Sequence, residues 1–487
     1  MPQQSRYRTG DQALVRQMNL SVIMHRLREN GPVSRAALAD LSGLNKTTVS
    51  SLVQELIEQR FVEEFGLNSA GAGRPAMLLR LNPTAGCIVA AEVGVDFLSV
   101  IRTNFAAEIT WRHREAIGRE MGQQAILDRV LALLSEATRS SSVVDGPLLG
   151  IAVGVPGLVD QETGSVLFAP NLGWMDVPLR SLLRERFGAP IYVDNEANLA
   201  ALGEYYFGVA QGHENVLYLS LGVGLGGGIV QDGKLYRGSS GFGGEFGHMT
   251  MDPDGLPCNC GNRGCWETQV SPAAVLRNVR QAILREQGRR RGDESPHYER
   301  RSPAGQASRL PLADSKNPDL LTLPMVLDAA RAGDSAAVQA LSDVGRHLGI
   351  GIASLVNALN PDLVVLGGRL SSAGEFLLPA VEAELPRRAL RWNAQATQVV
   401  LAKHGSDACV MGGVAAVTQA VLAQPGLAAP PRGKRPGEVM HHARNRVGTL
   451  PTGRELERTS RESLSLPDRE ALLTSSAPQM LSSSGVP

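Results

Sequence analysis

The spacing of apolar positions divides the chain into stretches of different texture. From Leu14 to Leu27 apolar residues recur at helical intervals (Leu14, Met18, Val22, Ile23, Leu27), and the glycine and proline of "ENGP" at Glu29 to Pro32 close the run, which predicts a first helix. "VSRAALADLSGLNKTTVSSLVQELIEQRFVEE" then predicts two helices joined by a tight turn at Ser42-Gly43-Leu44. Ser34 is placed to cap the first and Asn45 the second, each offering a side-chain oxygen to an orphan N–H of the first turn. Val49, Leu52, Val53 and Leu56 form the inward stripe of that second helix. "RFVEEFGLNSAGAGRPAMLLRLNP" alternates as a two-stranded wing with "SAGAGRP" at its tip.

From Pro83 onward buried strands alternate with helices, the pattern of α/β architecture. Two stretches interrupt it. Residues 283 to 320 read as a polar, arginine-rich insertion, and residues 425 to 487 are rich in Pro, Ser, Gly and charge; neither holds enough apolar residues to offset the entropy of ordering. The expected organisation is a winged helix-turn-helix over residues 1–82, a larger α/β unit over 83–424 and a tail without fixed structure over 425–487.

Composition narrows the classes. The 487 residues carry 48 Lys and Arg against 48 Asp and Glu, so a uniformly basic coat is absent and any nucleic-acid contact must be local. Residues 1 to 80 hold ten Lys and Arg against seven Asp and Glu, a bias that matters only because a motif sits there. Lys46, Thr47, Thr48 and Ser51 point outward near the start of the second helix of the pair, where a recognition helix meets base edges and phosphates. Ser34 and Arg35 at the preceding helix start, with Asn45, complete the candidate DNA face, and Arg74 at the wing tip is a candidate for a minor groove. No apolar run is read as reaching the roughly 18 residues of a membrane span, and the N-terminus lacks an apolar signal segment. Three of the five cysteines crowd into Cys258 to Cys265 and no disulfide framework is evident, which fits a reducing, cytoplasmic setting.

That crowding is the strongest local signal. Cys258-x-Cys260, four residues, then Cys265 supplies three sulfurs, and His248 a nitrogen ten positions upstream. Three thiolates and one imidazole suit tetrahedral Zn²⁺, and a filled four-ligand shell marks a structural site. A redox dithiol fits the spacing less well. The same segment holds Glu245 and Glu267, and Asn195-Glu196 lies upstream; carboxylates and amides of this kind favour polyols over apolar ligands. The run "SLGVGLGGGIVQDGKLYRGSSGFGGE" from Ser220 could form a concave anion nest or only a tight hairpin.

Taken in order, "VGVPGLVD" at Val153, "NLGW" at Asn171, "VDNEANLAALGE" at Val193, "LGVGLGGGIVQDGKLYRG" at Leu221, "EFGH" at Glu245 and "CNCGNRGCWE" at Cys258 resemble the ROK family of sugar kinases and sugar-responsive repressors. With the N-terminal winged helix, the chain resembles the xylose-repressor-like branch over roughly residues 10 to 420. The resemblance implies an actin-like, hexokinase-like pair of α/β lobes with a sugar in the cleft between them. It places Asn195, Glu196, Glu245, His248 and Glu267 on the sugar, adds Asn171, and implies His248, Cys258, Cys260 and Cys265 as zinc ligands.

Two positions depart from the kinases of the family. Their catalytic Asp is Glu196 here, and one methylene displaces a carboxylate by over an ångström, enough to cost on the order of a hundredfold in rate. Their first phosphate loop, Asp-x-Gly-Gly-Thr, is here Glu92-Val93-Gly94-Val95-Asp96, which sets a negative charge against phosphate. The expectation is therefore a sugar-responsive repressor that binds operator DNA as a homodimer or larger homo-oligomer, with structural zinc, without ATP and Mg²⁺, and with xylose, glucose or an amino sugar as effector. An ATP-dependent sugar kinase is the competing class.

Overall fold

The computed structural model describes residues 11–68, 76–118, 120–139, 146–292 and 320–425. The first helix, α1 (Gln12–Asn30), is followed by β1 (Val33–Ser34), α2 (Arg35–Ser42), α3 (Lys46–Glu58), β2 (Val62–Asn68) and β3 (Ala76–Leu81). The three strands pair in the order β1-β3-β2, as a winged helix requires. Ser34 and Asn45 cap α2 and α3 as their chemistry dictates, accepting from Ala37 N–H at 3.2 Å and Thr48 N–H at 2.8 Å. The stripe read for α1 is only half right. Leu20, Ile23, Met24 and Leu27 are its buried face, whereas Leu14, Met18 and Val22 stay exposed. The second half of α1 alone lies against the core, so a repeat that continued into its first half did not report burial.

Two five-stranded sheets with the same topology follow. The first is built from β4 (Cys87–Val93), β5 (Phe97–Asn104) and β6 (Ile109–Ala116) as an antiparallel meander; α4 (Gln123–Arg139) leads to β7 (Leu148–Val155). A side ribbon of β8 (Leu158–Val159), β9 (Val166–Ala169) and β10 (Trp174–Val177) precedes α5 (Leu179–Phe187) and β11 (Ile191–Asn195). The order is β11-β7-β4-β5-β6, with β11, β7 and β4 parallel. After α6 (Glu196–Phe207), the second lobe repeats the plan with the meander β12 (Val216–Leu221), β13 (Leu225–Gln231) and β14 (Lys234–Tyr236). Four helices, α7 (Glu267–Val270), α8 (Pro272–Gly292), α9 (Leu323–Arg331) and α10 (Ser335–Leu359), precede β15 (Leu363–Gly367). The chain ends its described part with α11 (Gly374–Arg388), α12 (Arg391–Ala396), β16 (Gln398–Leu401) and α13 (Ala408–Ala423). The second sheet runs β14-β13-β12-β15-β16, and the expected two-lobed α/β fold is observed.

The last helix of each lobe lies on the sheet of the other. α6 follows β11 of the first sheet yet packs on β12 and β13, while α13 follows β16 of the second and packs on β4 and β7. Both are apolar on nearly all sides, the mark of buried helices. They cross at Gly203 and Gly412: a Cβ on Gly412 would overlap the Leu199 carbonyl, and one on Gly203 the Ala408 carbonyl. Fully buried Glu204 of α6 accepts from His404 N–H, in the turn leading into α13, at 2.8 Å and from Val209 N–H, just past its own helix, at 3.0 Å.

α13 is also the stretch that departs from the membrane expectation. Gly405–Ala423 is long and apolar enough to cross a bilayer by length and composition, but 67% of it is buried inside the protein as a core helix. The polar insertion begins later than read from sequence, because α8 continues through Gly292 with Ile283 buried at 2% exposure. The rest of that insertion, Arg74 and the expected tail beyond Pro425 lie outside the described residues.

Gly412→Ala is expected to destabilise the protein by about 1–3 kcal/mol, as for other overpacked cores, because the clash is with backbone and cannot be relieved by a rotamer. Urea unfolding of the variant beside the parent checks this; matching midpoints would mean the crossing is looser than described.

Candidate functional site

Between the lobes lies a cleft of about 420 Å³ with all the expected sugar residues on its walls. β11 delivers Asn195 to its floor, with Asp194 just behind it, and Glu196 opens α6. Asn195 is largely committed to structure. Its Oδ1 accepts from Ala197 N–H at 2.8 Å and caps α6, and its Nδ2 donates to the Gly157 carbonyl at 3.0 Å, leaving one amide N–H uncommitted. Glu196 is different: its Oε2 is buried and makes no hydrogen bond among the described residues. Burial, reinforced by the charges of Glu92, Glu245 and Asp194, raises its pKa to about 8. Glu92, at the end of β4, is likewise raised by burial to about 7.

Asp194 escaped sequence reading although it organises this wall. It is 4% exposed, accepts from Gln161 Nε2 and Asn198 Nδ2, both at 3.1 Å, and pairs with Arg237 at 2.6 Å. Arg237 follows β14 in the second lobe, so the pair joins the two lobes and fixes the start of the loop that reaches Glu245. The only signal in sequence was the position of Asp194 directly before Asn195, which propensity cannot distinguish from a strand end.

Glu245, His248 and Glu267 converge from the second lobe. His248 Nε2 lies 3.9 Å from Glu245 Oε2, and His248 Nδ1 lies 3.9 Å from Glu267 Oε1. Asn171 sits in the exposed turn after β9, at the cleft rim. Behind the carboxylates the four candidate metal ligands His248, Cys258, Cys260 and Cys265 gather, with their ligand atoms all within 4.8 Å of one another. The separations are close to those around one tetrahedral ion. Zn–S bonds of about 2.3 Å place sulfurs about 3.8 Å apart, and Cys260 Sγ lies 3.6 Å from Cys265 Sγ, with Cys258 Sγ 3.7 Å from His248 Nδ1. The donor set therefore fits a closed four-ligand ion. Cys258 Sγ lies 2.9 Å from Glu267 Oε1 and donates to it while protonated, so the cluster abuts the cleft; as a metal-bound thiolate it would have no proton to give. Trp266, fully buried between Cys265 and Glu267, donates Nε1–H to the His347 carbonyl on α10 and anchors the segment.

At the other end of the cleft, the charge of Asp96 is answered rather than bare: it forms an ion pair with Arg369 of the second lobe. Arg114 stacks on Phe97 at 4.0 Å, and the Phe97 ring lies against Gly94, leaving no room there for a Cβ. An aromatic ring and an ion pair thus crowd the stretch that aligns with the kinase phosphate loop.

On the winged helix, Asn45, Lys46, Thr47 and Ser51 are exposed at the start of α3, while Thr48 is half-buried. Ser34 and Asn45 spend their side-chain oxygens on caps, and Arg35 pairs with Glu64 of β2 at 3.1 Å. Ser50 and Gln54 share the exposed face of α3 and were missed, since the outward strip was read only to Ser51.

Residues 88–420 match the model of the ROK family, and residues 22–64 match that of the IclR helix-turn-helix domain. A xylose repressor from Caldicellulosiruptor bescii is 33% identical over 416 residues, covering 85% of this chain and 99% of that protein. Among solved structures, a ROK family transcriptional regulator described as a homologue of the E. coli MLC protein aligns with a TM-score of 0.70 at 28% identity, covering 84% of this chain and 97% of its own. A ROK family glucokinase from Streptomyces griseus, in complex with glucose and AMPPNP, aligns with a TM-score of 0.58 at 30% identity, covering 68% and 98%. The two regulators cover 85% and 84% of this chain and the glucokinase 68%; with the family match spanning residues 88–420, this chain belongs to the ROK family.

Proposed function

We propose that this protein is a sugar-responsive transcriptional repressor whose winged helix binds operator DNA and whose cleft binds the effector. The observation that carries the reading is a shared core: the winged helix, β4, β7 and α13 contribute to one hydrophobic cluster, so the DNA-reading unit is packed onto the sugar-binding unit. The full-length match to a xylose repressor supports it. In this reading residues 1–82 recognise DNA, 83–424 bind the sugar and 425–487 form a tail, in a cytoplasmic homodimer or larger assembly whose two heads meet related half-sites. The effector is xylose, glucose or an amino sugar, held by Glu196, Glu245, His248 and Glu267, with Asn195 and Asn171 in support. Lys46, Thr47, Ser51 and the flanking Ser50 and Gln54 meet the major groove, with Thr48 and Arg35 near phosphate and the wing residue Arg74 in a minor groove. A structural Zn²⁺ on His248, Cys258, Cys260 and Cys265 would brace the loop that presents three sugar contacts; it supplies shape, and no open position for chemistry.

A kinase reading is favoured by the 30% identical glucokinase structure and by the buried Glu196 carboxyl, whose pKa, raised to about 8, suits general-base work near neutrality. Against it stand the Asp96–Arg369 pair and the Phe97 ring beside the phosphate-loop glycine. ATP, Mg²⁺ and a panel of aldoses should yield no sugar phosphate, and turnover at ordinary kinase rates would reverse the assignment.

The protein should shift DNA from upstream of its own coding sequence, with affinity falling as salt rises because phosphate contacts release counterions. One sugar among xylose, glucose and N-acetylglucosamine should weaken that shift; no shift at any salt would sink the DNA reading.

Cys258→Ser is expected to lower bound zinc, measured by atomic absorption, and to weaken sugar affinity about tenfold or more, by analogy with the cost of disturbing metal-site support. Unchanged sugar affinity in zinc-free protein would separate the ion from the cleft.

Glu196 adds a pH signature. Its pKa is raised from 4.5 to about 8 on folding, so the folded form holds a proton that the unfolded chain releases. The corresponding stability is full below about pH 4.5 and is lost as pH climbs through about 8. Glu92, raised to about 7, acts with the same sign. Melting temperatures should fall between pH 6 and 9, and Glu196→Gln should flatten part of that fall; parallel curves would show that Glu196 keeps its charge.

A further inference from the structure

The regulator reading leaves open how a sugar is felt at α3, and the inference here rests on that reading. α6 starts in the cleft with Glu196 and runs twelve residues to Phe207, about 18 Å at 1.5 Å per residue. Its last turn carries Tyr206, 4% exposed, and the Arg28 guanidinium of α1 lies over that ring at 4.2 Å. α13 starts at the same cleft with Cys409 and shares a core with α1, where Val410, Val414 and Val421 join Leu20, Ile23 and Met24. At its other end α1 holds α3 directly: Arg16 donates Nε–H to Glu55 at 2.8 Å and reaches Ser51 at 3.5 Å.

The exchange of helices between lobes makes this path mechanical. Because α6 lies on the second sheet and α13 on the first, a change in the angle between lobes must be taken up where the two helices cross. That crossing is backbone against backbone at Gly203 and Gly412 and is tied by buried Glu204, so it transmits displacement rather than absorbing it. α1 touches both members, α6 through Tyr206 and α13 through its apolar face.

We propose that the sugar controls DNA binding through the crossed α6–α13 pair, with Arg28 on Tyr206 as the link that moves α1, and Arg16 on Glu55 as the link that carries the movement to α3. Ligand affinity then shifts the lobe angle only as far as the sugar prefers one arrangement. Coupling of this kind is reciprocal: operator DNA changes sugar affinity by the same factor as sugar changes operator affinity.

Arg28→Met and Tyr206→Leu test it in the full-length protein, since neither residue lines the cleft or faces DNA. Operator affinity is measured by fluorescence anisotropy on the upstream DNA fragment, with and without whichever of D-xylose, D-glucose or N-acetylglucosamine weakens the parent complex. Sugar affinity is measured by calorimetry with and without that DNA. Each variant should lose about fivefold or more of the coupling factor in both directions, within the usual 5- to 150-fold range of such couplings, while sugar affinity of the DNA-free protein changes less than about twofold. Tyr206→Phe, which keeps the ring under Arg28, should retain the coupling. Full coupling in both Arg28→Met and Tyr206→Leu overturns the path and leaves the regulator standing, as does equal loss in Tyr206→Phe and Tyr206→Leu. A parent protein whose operator complex no sugar alters overturns both.

Discussion

The close crossing of α6 and α13 is the constraint on which the rest of the molecule depends. Two glycines let the helix backbones meet, and a buried carboxylate with two backbone donors holds the ends together. An ionised or protonated Glu204 placed there without those partners would be costly, whereas satisfied it specifies one arrangement. Each helix lies on the opposite lobe's sheet, so this one contact sets the cleft width at one end and the seat of the winged helix at the other.

The cleft follows from the same geometry. Asn195 caps α6 and Glu196 begins it, so the residue that opens the helix also enters the cavity, where burial keeps its carboxyl protonated near neutrality. Asp194 and Arg237 join the lobes from behind. The cysteine cluster stands beside Glu267, with Cys258 Sγ 2.9 Å from Glu267 Oε1, and its four candidate ligand atoms lie close enough together to hold one ion at the edge of the cleft.

The end of the cleft near Gly94 is crowded. A charge unfavourable to phosphate has found a partner in Arg369, and an aromatic ring has settled beside the glycine that a phosphate loop keeps open. Phosphoryl transfer depends on positioned cations and an uncrowded phosphate path. Crowding at Gly94 is therefore at odds with phosphoryl transfer, in line with the proposed regulator.

Local chemistry was enough for the elements whose partners are near in sequence. Ser34 and Asn45 read as caps because their oxygens reach an N–H three residues on, and Cys258, Cys260 and Cys265 read as candidate ligands because they fall within eight residues. Motif order carried Glu196, Glu245 and Glu267 to one cleft. Tertiary structure alone decided that Asp194 meets Arg237, that Asp96 meets Arg369 and that Glu204 meets His404, because these partners lie 43, 273 and 200 positions apart and charge has no periodicity to announce them. It also decided that the apolar run of α13 is a core helix, since hydropathy measures the wish to leave water and not which neighbour satisfies it.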